Sequence, residues 1–242
     1  MATLNRNLEI LPNKSALIER SRDIIITKIK AAIESRGQFT IALSGGSTPK
    51  PLYEALAAES LPWSKIHVFW GDERYVPMTH QDSNQRMARQ AWLDKIAFPD
   101  DNVHPMDTTS DDPNQDAAKY EAELRQFFQT ESGFPTFDVI LLGMGDDGHT
   151  ASLFPHTAAL TVSDRLITVG NKDGQPRLTF TVPLINQARC VLFMLAGANK
   201  RPALEQVFAP QGDAAQYPSR LIKPQGELLW LLDQAAAVDL LD

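Results

Sequence analysis

Apolar positions along the chain follow two patterns, one with the spacing of a helix face and one of short continuous runs. Four isoleucines share one face of a predicted helix over residues 15–36, which is expected to end at Gly37. Further helices are predicted after Pro49 or Pro51, from Ser83 to Ile96, over residues 117–128 and over residues 201–208. Short apolar runs predict strands over residues 39–43, 66–70, 137–142, 166–169, 178–182, 190–196 and 227–232.

Strands and helices alternate along most of this predicted order, and several strands are apolar at every position. Strands buried on both faces are typical of a parallel sheet that helices cover on both sides. Residues 98–116 are rich in turn formers and are expected to form a loop with at most one short strand. Because no repeat, linker or shift of composition interrupts the pattern, we predict a single α/β domain over residues 1–242, with a mostly parallel sheet.

Composition narrows the possible partners. Hydrophobic residues make up 43% of the chain and charged residues 22%, and the formal net charge is −7. An acidic chain without a basic run is a poor ligand for nucleic acid or an anionic membrane, so any anionic ligand needs a local cationic site. Neither an apolar leader in MATLNRNLEI nor an apolar run of ~18 residues is present, and we expect a soluble, cytoplasmic protein.

The single cysteine, Cys190, lies within the apolar run CVLFML. No basic residue flanks it closely enough to favour a thiolate, so a buried, inert thiol is predicted rather than a catalytic one. The histidines at positions 67, 80, 104 and 156 are scattered along the chain and are interpreted as structural or surface residues. No histidine pair has metal-ligand spacing with acidic support, so no metal site is expected.

Polar or glycine-rich segments follow four of the predicted strands. They are SGGSTP (44–49), GDER (71–74), GMGDDGH (143–149) and AGANKR (196–201). In an open parallel sheet, ligands bind outside the carboxyl ends of the strands, so these segments are expected to meet at one edge. SGGSTP is either an anion-binding loop before a helix or an ordinary turn with capping hydroxyls, and it lacks the lysine of a Walker A loop.

Residues 143–148 fit the G-x-G-x-x-G pattern of a dinucleotide-binding turn. That motif needs a long helix after its third glycine, whereas Pro155 leaves room for only one or two helical turns. Asp146 and Asp147 would also place negative charge where a pyrophosphate should bind. We therefore predict that the glycines present His149 as a general base and Asp147 as its orienting or substrate-binding partner, the alternative being a loop histidine with a capping aspartate.

The remaining two segments supply positive charge. Arg74 in GDER is suited to grip a phosphate or carboxylate with two hydrogen bonds, although a surface ion-pair turn is an equally good interpretation. Lys200 and Arg201 add cationic charge at the same edge unless they form a solvated pair. No Gly-x-Ser-x-Gly elbow surrounds Ser44, which argues against a serine hydrolase.

Taken together, SGGSTP, GDERYVP, SNQRMA, GMGDDGHTASLFP, AGANKR and LLWLLDQAA follow the order found in the 6-phosphogluconolactonase family, which this sequence resembles. The resemblance implies a Rossmann-like fold shared with glucosamine-6-phosphate deaminase and ribose-5-phosphate isomerase. It implies hydrolysis of 6-phospho-D-glucono-1,5-lactone. We expect no cofactor, and a monomer or weak homo-oligomer.

The resemblance also implies roles for individual residues. His149 becomes the base that activates water, with Asp147 beside it, and Arg74 reaches into the site. The phosphate is held by the loop of Gly45, Gly46, Ser47 and Thr48 together with Lys200. Asp72 is a further substrate-binding residue, and Arg177 is another candidate for the phosphate.

Two other functions stay open at this point. Deaminases of the related family share the Asp-Gly-His loop, but they resemble DGHIAFNE, whereas this chain has Phe154 where they carry a catalytic glutamate. They also usually carry an aromatic residue where this chain has Arg74. The third possibility is a sugar-phosphate sensor without turnover, although no output module is visible in the sequence.

Overall fold

The computed structural model of the chain describes residues 6–237. Its strands are β1 (Arg6–Leu11), β2 (Phe39–Leu43), β3 (Ile66–Trp70), β4 (Asp72–Arg74), β5 (Val103–His104), β6 (Val139–Leu142), β7 (Ile167–Lys172), β8 (Gln175–Phe180), β9 (Cys190–Leu195) and β10 (Glu227–Asp233). Its α-helices are α1 (Lys14–Arg36), α2 (Lys50–Ala57), α3 (Asn84–Ala91), α4 (Pro113–Phe128), α5 (Val182–Asn186), α6 (Arg201–Phe208) and α7 (Gln234–Ala237). Short 3-10 turns lie at Trp63–Lys65, Leu93–Lys95, Asp100–Asn102, Ala158–Thr161, Ala198–Lys200 and Pro218–Leu221.

Seven of these strands form the main sheet, in the order β1-β10-β9-β6-β2-β3-β5. Every pairing within it is parallel. Each residue of the central strands β2, β6 and β9 is buried, which requires cover on both faces of the sheet. The predicted α/β class with a mostly parallel, Rossmann-like sheet is therefore confirmed, and the carboxyl ends of its central strands share one edge.

A second sheet of three antiparallel strands, in the order β4-β8-β7, was not expected. The sequence pattern predicts strands at β7 and β8 but not their separation from the main sheet. It also treats Asp72–Arg74 as a turn, whereas these residues pair with β8 and bring Arg74 opposite Arg177. The strand predicted to reach Val182 ends at Phe180, because the proline in the next segment begins helix α5.

Capping residues account for several helix boundaries. Helix α1 ends as predicted at Gly37, which adopts the left-handed conformation with φ of 81°. Ser83 caps α3 as predicted, by accepting a hydrogen bond from the Arg86 amide. The same helix ends at Ala91 rather than Ile96, because Trp92 leaves helical geometry. Helix α4 starts earlier than predicted, at Pro113, since the Asp112 side chain caps it.

Edge strand β1 has no counterpart among the predicted elements. Its apolar residues alternate with polar ones, and Leu8 remains 39% exposed. The first five residues of MATLNRNLEI lie outside the described part of the chain. No helix within residues 6–237 is long and apolar enough to cross a membrane. Division of the chain into domains stays a prediction.

Cys190 lies in the hydrophobic core at 1% exposure. Burial raises the pKa of its thiol to about 11, so it is protonated at neutral pH. The prediction of a buried, inert thiol is confirmed.

Two of the histidines predicted to be structural form a chain that ends on a carboxylate. His67 Nδ1 lies 3.3 Å from His104 Nε2, and His104 Nδ1 lies 2.9 Å from a carboxylate oxygen of Glu123. Partial burial, with a smaller contribution from His104, lowers the pKa of His67 to about 4. The unfolded chain therefore binds a proton near pH 6.5 that the folded chain takes up only near pH 4.

We expect this difference to make the unfolding free energy fall as pH drops from 6.5 towards 4. His67→Asn should reduce that fall by on the order of 1–2 kcal/mol between pH 7 and pH 4.5, allowing for the partial exposure of His67. Urea unfolding at several pH values measures the effect, and His80→Asn, at an exposed histidine, is the control. An equal loss of stability in wild type and His67→Asn would contradict the assignment.

Candidate active site

A pocket of about 230 Å³ opens at the carboxyl edge of the main sheet. It is lined by Ser44, Gly45, Gly46, Ser47, Thr48, Pro49, Asp72, Arg74, Asn84, Leu142, Gly143, Met144, Gly145, His149, Ala151, Arg177, Met194, Leu195 and Lys200. All four segments that the sequence placed at this edge contribute to it. Three lining side chains are cationic, Arg74, Arg177 and Lys200, and one, Asp72, is a carboxylate. The pocket lining therefore carries a net positive charge in an acidic protein.

His149 lies in a narrow slot of the loop that follows β6. Its Nδ1 is 2.5 Å from Oδ1 of Asp147, and its backbone amide donates to the same oxygen at 3.0 Å. On another side, a Cβ atom added to Gly145 would lie 2.1 Å from Nδ1 of the imidazole. Nε2 makes no hydrogen bond to any residue that the structure describes, and it is the ring nitrogen left for a ligand.

Asp147 contacts His149 but does not line the pocket. Its partial burial by itself raises the pKa of this carboxyl. The hydrogen bonds from the side chain and backbone of His149 outweigh that effect and lower the pKa to about 2. At neutral pH Asp147 is therefore a carboxylate that accepts the Nδ1 proton, which suits an orienting partner better than a direct ligand.

The G-x-G-x-x-G match is not a dinucleotide-binding turn. Residues 149–157, all of which the structure describes, form turns and the small Thr150–Leu153 bridge rather than a helix. Gly148 instead adopts φ of 78°, and the Tyr217 side chain packs where its Cβ would be. The rejection of this motif is thus confirmed by the local backbone.

GDER is not a surface ion-pair turn, because Asp72 and Glu73 are 7% and 2% exposed. Glu73 accepts hydrogen bonds from the amides of Arg74, Asn84 and Gln85 and lies 3.2 Å from the Ser83 hydroxyl. Burial raises the pKa of Glu73, against the effect of these donors. This carboxylate anchors the start of α3 to β4, and so fixes the wall of the pocket that Arg74 and Asp72 form.

Asn84 lines the pocket, and the sequence analysis gave it no role. Its Nδ2 donates to the Asp72 carbonyl at 2.9 Å, and a Cβ on Gly45 would lie 1.9 Å from its Oδ1. The absence of a side chain at Gly45 therefore lets the amide of Asn84 pack directly on the SGGSTP loop. The segment SNQRMA was visible as a motif, but nothing in its pattern indicated which residue faces the site.

Residues 44–49 cross the top of β2 and lead into α2. Gly46 adopts φ of 107°, which glycine accommodates without strain. The loop start is held by the buried Tyr53 hydroxyl, which donates to the Ser44 carbonyl at 2.7 Å. Pro49 precedes α2 without a side-chain cap, so the amides of the first helical turn have no capping side chain.

Two of the predicted cations, Lys200 and Arg74, line the pocket and have different hydrogen-bond partners. Lys200 donates to Asp146 Oδ1 at 2.7 Å, and Asn199 donates to the same oxygen at 2.8 Å. Arg74 donates to the Asp82 carbonyl at 2.5 Å. Arg201 does not line the pocket and donates to the Ala235 carbonyl.

Residues 213–222, which received no role from the sequence, form hydrogen bonds with the loop that carries His149. Ser219 donates from both its amide and its hydroxyl to the Gly148 carbonyl, at 3.0 and 2.9 Å. The His156 amide donates to the Ala215 carbonyl at 3.0 Å. Residues 213–222 thus brace the turn that carries His149, and only the fold could reveal a contact across 71 positions of sequence.

Comparisons with known proteins agree with this geometry. Residues 12–230 match the family described as glucosamine-6-phosphate isomerases/6-phosphogluconolactonase. The chain is 67% identical over 234 residues to a 6-phosphogluconolactonase of Synechocystis sp., covering 96% of this chain and 98% of that protein. Its structure is similar to a 6-phosphogluconolactonase from Trypanosoma cruzi, with a TM-score of 0.88, 31% identity, and 98% and 97% of the two chains covered. A monomeric glucosamine-6-phosphate deaminase shares the fold alone, at 17% identity and a TM-score of 0.81 over 96% of this chain and 99% of that one.

Proposed function

The chain belongs to the family of glucosamine-6-phosphate isomerases and 6-phosphogluconolactonases, and we propose that His149 is the general base with which it hydrolyses 6-phospho-D-glucono-1,5-lactone. One observation carries this assignment of His149. An imidazole with an unpartnered Nε2 lines the same pocket as the glycine-rich 44–49 loop and three cationic side chains. A phosphorylated sugar lactone offers one electrophilic carbon and one dianionic group, and this pocket provides a partner for each.

The dyad of Asp147 and His149 fixes which nitrogen acts. With its proton on Nδ1 directed at the Asp147 carboxylate, the neutral ring carries its lone pair on Nε2. That nitrogen removes a proton from the water that attacks C1 of the lactone. The resulting imidazolium is stabilised by the adjacent carboxylate, as expected of an orienting acid beside a general base.

Breakdown of the tetrahedral intermediate needs a stabilised oxyanion and a protonated leaving oxygen. Arg74 or backbone amides at the pocket rim donate to the oxyanion. The imidazolium then returns its proton to the ring oxygen as the bond between C1 and that oxygen breaks. This restores the neutral base and gives 6-phosphogluconic acid, which loses a proton to water and becomes 6-phosphogluconate. Because a sugar lactone is an activated ester, a general base with ~10²–10⁴-fold effect and correct positioning meet the demand.

The phosphate is assigned to the part of the pocket that the 44–49 loop forms. Gly45, Gly46, Ser47 and Thr48 offer amides and hydroxyls before the uncapped start of α2, which favours anions. Lys200 and Arg177 supply positive charge, and Asp72 is a candidate partner for a sugar hydroxyl. This division of the pocket fixes the direction of the sugar and keeps C1 near His149.

A coupled assay tests the activity. Freshly prepared 6-phosphogluconolactone is supplied, and 6-phosphogluconate dehydrogenase converts the product with a measurable change in NADPH. We expect enzyme-dependent product formation above the spontaneous rate and no ammonia from glucosamine 6-phosphate. Ammonia release would support the deaminase alternative, and binding of the phosphosugar without turnover would support a sensor.

Gly145→Ala tests the slot around the imidazole. The added methyl group would lie 2.1 Å from Nδ1 of His149 and 2.6 Å from Oδ1 of Asp147, so the dyad must shift. We expect kcat to fall by about 10- to 100-fold, because a displaced base loses much of its effect. Gly71→Ala is the matched control, since its Cβ would meet only the Leu43 carbonyl at 3.6 Å. Equal kcat values for the two variants would contradict this account of the slot.

The cellular setting is also part of the proposal. We infer a cytoplasmic enzyme that acts on a small phosphosugar lactone, as a monomer or weak homo-oligomer, without nucleic acid or membrane partners. The net charge of −7 supports the absence of nucleic-acid partners. Analytical ultracentrifugation across a concentration series measures the oligomeric state.

A further inference from the structure

Phe154 touches two of the proposed site residues without lining the pocket itself. Its ring centroid is 4.5 Å from that of His149, in a tilted contact, and the Arg177 guanidinium carbon lies 5.4 Å above the same ring. The side chain is 5% exposed, and Phe154 directly follows the turn that the Thr150–Leu153 bridge closes. A single aromatic ring thus lies against both the proposed base and one of the cations.

The imidazole needs this contact to be held in one orientation. The hydrogen bond to Asp147 restrains Nδ1, but a single bond lets the ring tilt about that atom. Gly145 has no side chain, and the ring occupies the space where its Cβ would lie, 2.1 Å from Nδ1 and 2.2 Å from Cε1. Packing against Phe154 supplies a second restraint, and the two together determine where Nε2 points.

Arg177 depends on the same ring. Its guanidinium makes no hydrogen bond or ion pair within the part of the chain that the structure describes, although the side chain is half-buried and lines the pocket. It is directly opposite Arg74 across the β4–β8 ladder, and burial together with that neighbouring charge lowers its pKa. A guanidinium over an aromatic face gains a favourable interaction while all five donors stay free for an anion.

We propose that Phe154 is a positioning residue that sets the orientation of the His149 base and presents Arg177 to the substrate phosphate. The inference rests on the proposed function, because it takes His149 as the base and Arg177 as a phosphate ligand. It predicts that loss of the Phe154 ring lowers kcat through His149 and raises KM through Arg177. A residue that only filled the core would alter neither quantity per folded molecule.

The test is a double-mutant cycle on kcat and KM for 6-phosphogluconolactone, with Phe154→Leu, Arg177→Gln and the combined variant. We expect Phe154→Leu to lower kcat about tenfold and to raise KM about fivefold. Misorientation of a catalytic group commonly changes the rate by this order of magnitude. In the Arg177→Gln background, Phe154→Leu should still lower kcat but should leave KM unchanged within about twofold, because the residue through which it acts on KM is already removed.

Phe69→Leu is the matched control, at a fully buried phenylalanine that stacks on His104 away from the pocket. It should lower the melting temperature and leave kcat and KM per folded molecule unchanged. If Phe154→Leu behaves like Phe69→Leu, or if its effect on KM persists in the Arg177→Gln background, the proposal is wrong. Should Phe154→Leu fail to fold, Phe154→Met fills much of the volume without a ring, and the same criteria apply.

The outcomes separate this inference from the proposed function. A fully active His149→Ala variant would remove the base, and with it the first half of the proposal. An inactive His149→Ala together with wild-type kinetics for Phe154→Leu would leave the proposed function intact and overturn the role of Phe154 alone.

Discussion

His149→Ala is expected to lower kcat for 6-phosphogluconolactone hydrolysis at least about a hundredfold, since a general base contributes ~10²–10⁴-fold. KM should change little, because the imidazole acts on water rather than on the phosphate. The coupled assay for 6-phosphogluconate measures both constants, and circular dichroism checks that the fold is retained.

His80→Ala is the control for this experiment, since it removes an exposed histidine that does not line the pocket. It should match wild type in kcat and KM. Should His149→Ala retain wild-type kcat, the imidazole would have no part in the chemistry, whatever the pocket binds.

Asp147→Asn should lower kcat about 10- to 100-fold while the loop keeps its shape. In the wild type, the His149 amide donates to Oδ1 of Asp147 at 3.0 Å, and an asparagine oxygen can still accept this hydrogen bond. It carries no charge to stabilise the imidazolium and can present an amide donor that favours the wrong tautomer. The pH dependence of kcat/KM should also change, because the negative charge beside the imidazole is lost.

Asp164→Asn serves as the comparison, at an exposed aspartate paired with Arg165. It should leave the pH profile unmoved. Because the pKa of Asp147 is lowered to about 2, its carboxylate is charged throughout the range in which the enzyme is assayed. An Asp147→Asn profile identical to wild type would show that this charge does not act on His149.

Much of the fold follows from residues whose effect is local. Continuous apolar runs predicted β2, β3, β6 and β9 because strands covered on both faces have no polar side. Gly37 and Ser83 set helix ends through their own backbone or side-chain preferences. The antiparallel sheet of β4, β8 and β7 could not be predicted in this way, since pairing of Asp72–Arg74 with β8 depends on residues about a hundred positions away.

The site divides along the same line. Residues that belong to a segment with its own signal, such as His149 in GMGDDGH and Gly45 in SGGSTP, were predicted from sequence and line one pocket. Their catalytic and binding roles stay predictions. Asn84 and Ser219 were missed because each acts across the fold on a loop that it does not belong to. The contact of Phe154 with Arg177 was missed because Arg177 lies on β8, outside the segment that carries His149. Asp147 was predicted from sequence, but only the folded structure shows that it lies outside the pocket lining.

The direction of the sugar in the pocket is the central claim, and a crystal structure with 6-phosphogluconate bound tests it most directly. We expect the C1 carboxylate within about 3 Å of His149 Nε2, which is hydrogen-bond distance. The phosphate should contact the amides of residues 45–48 and the side chain of Lys200. A product bound in the reverse direction would contradict the account. So would a product whose C1 is too far away for a water molecule hydrogen-bonded to Nε2 to contact it.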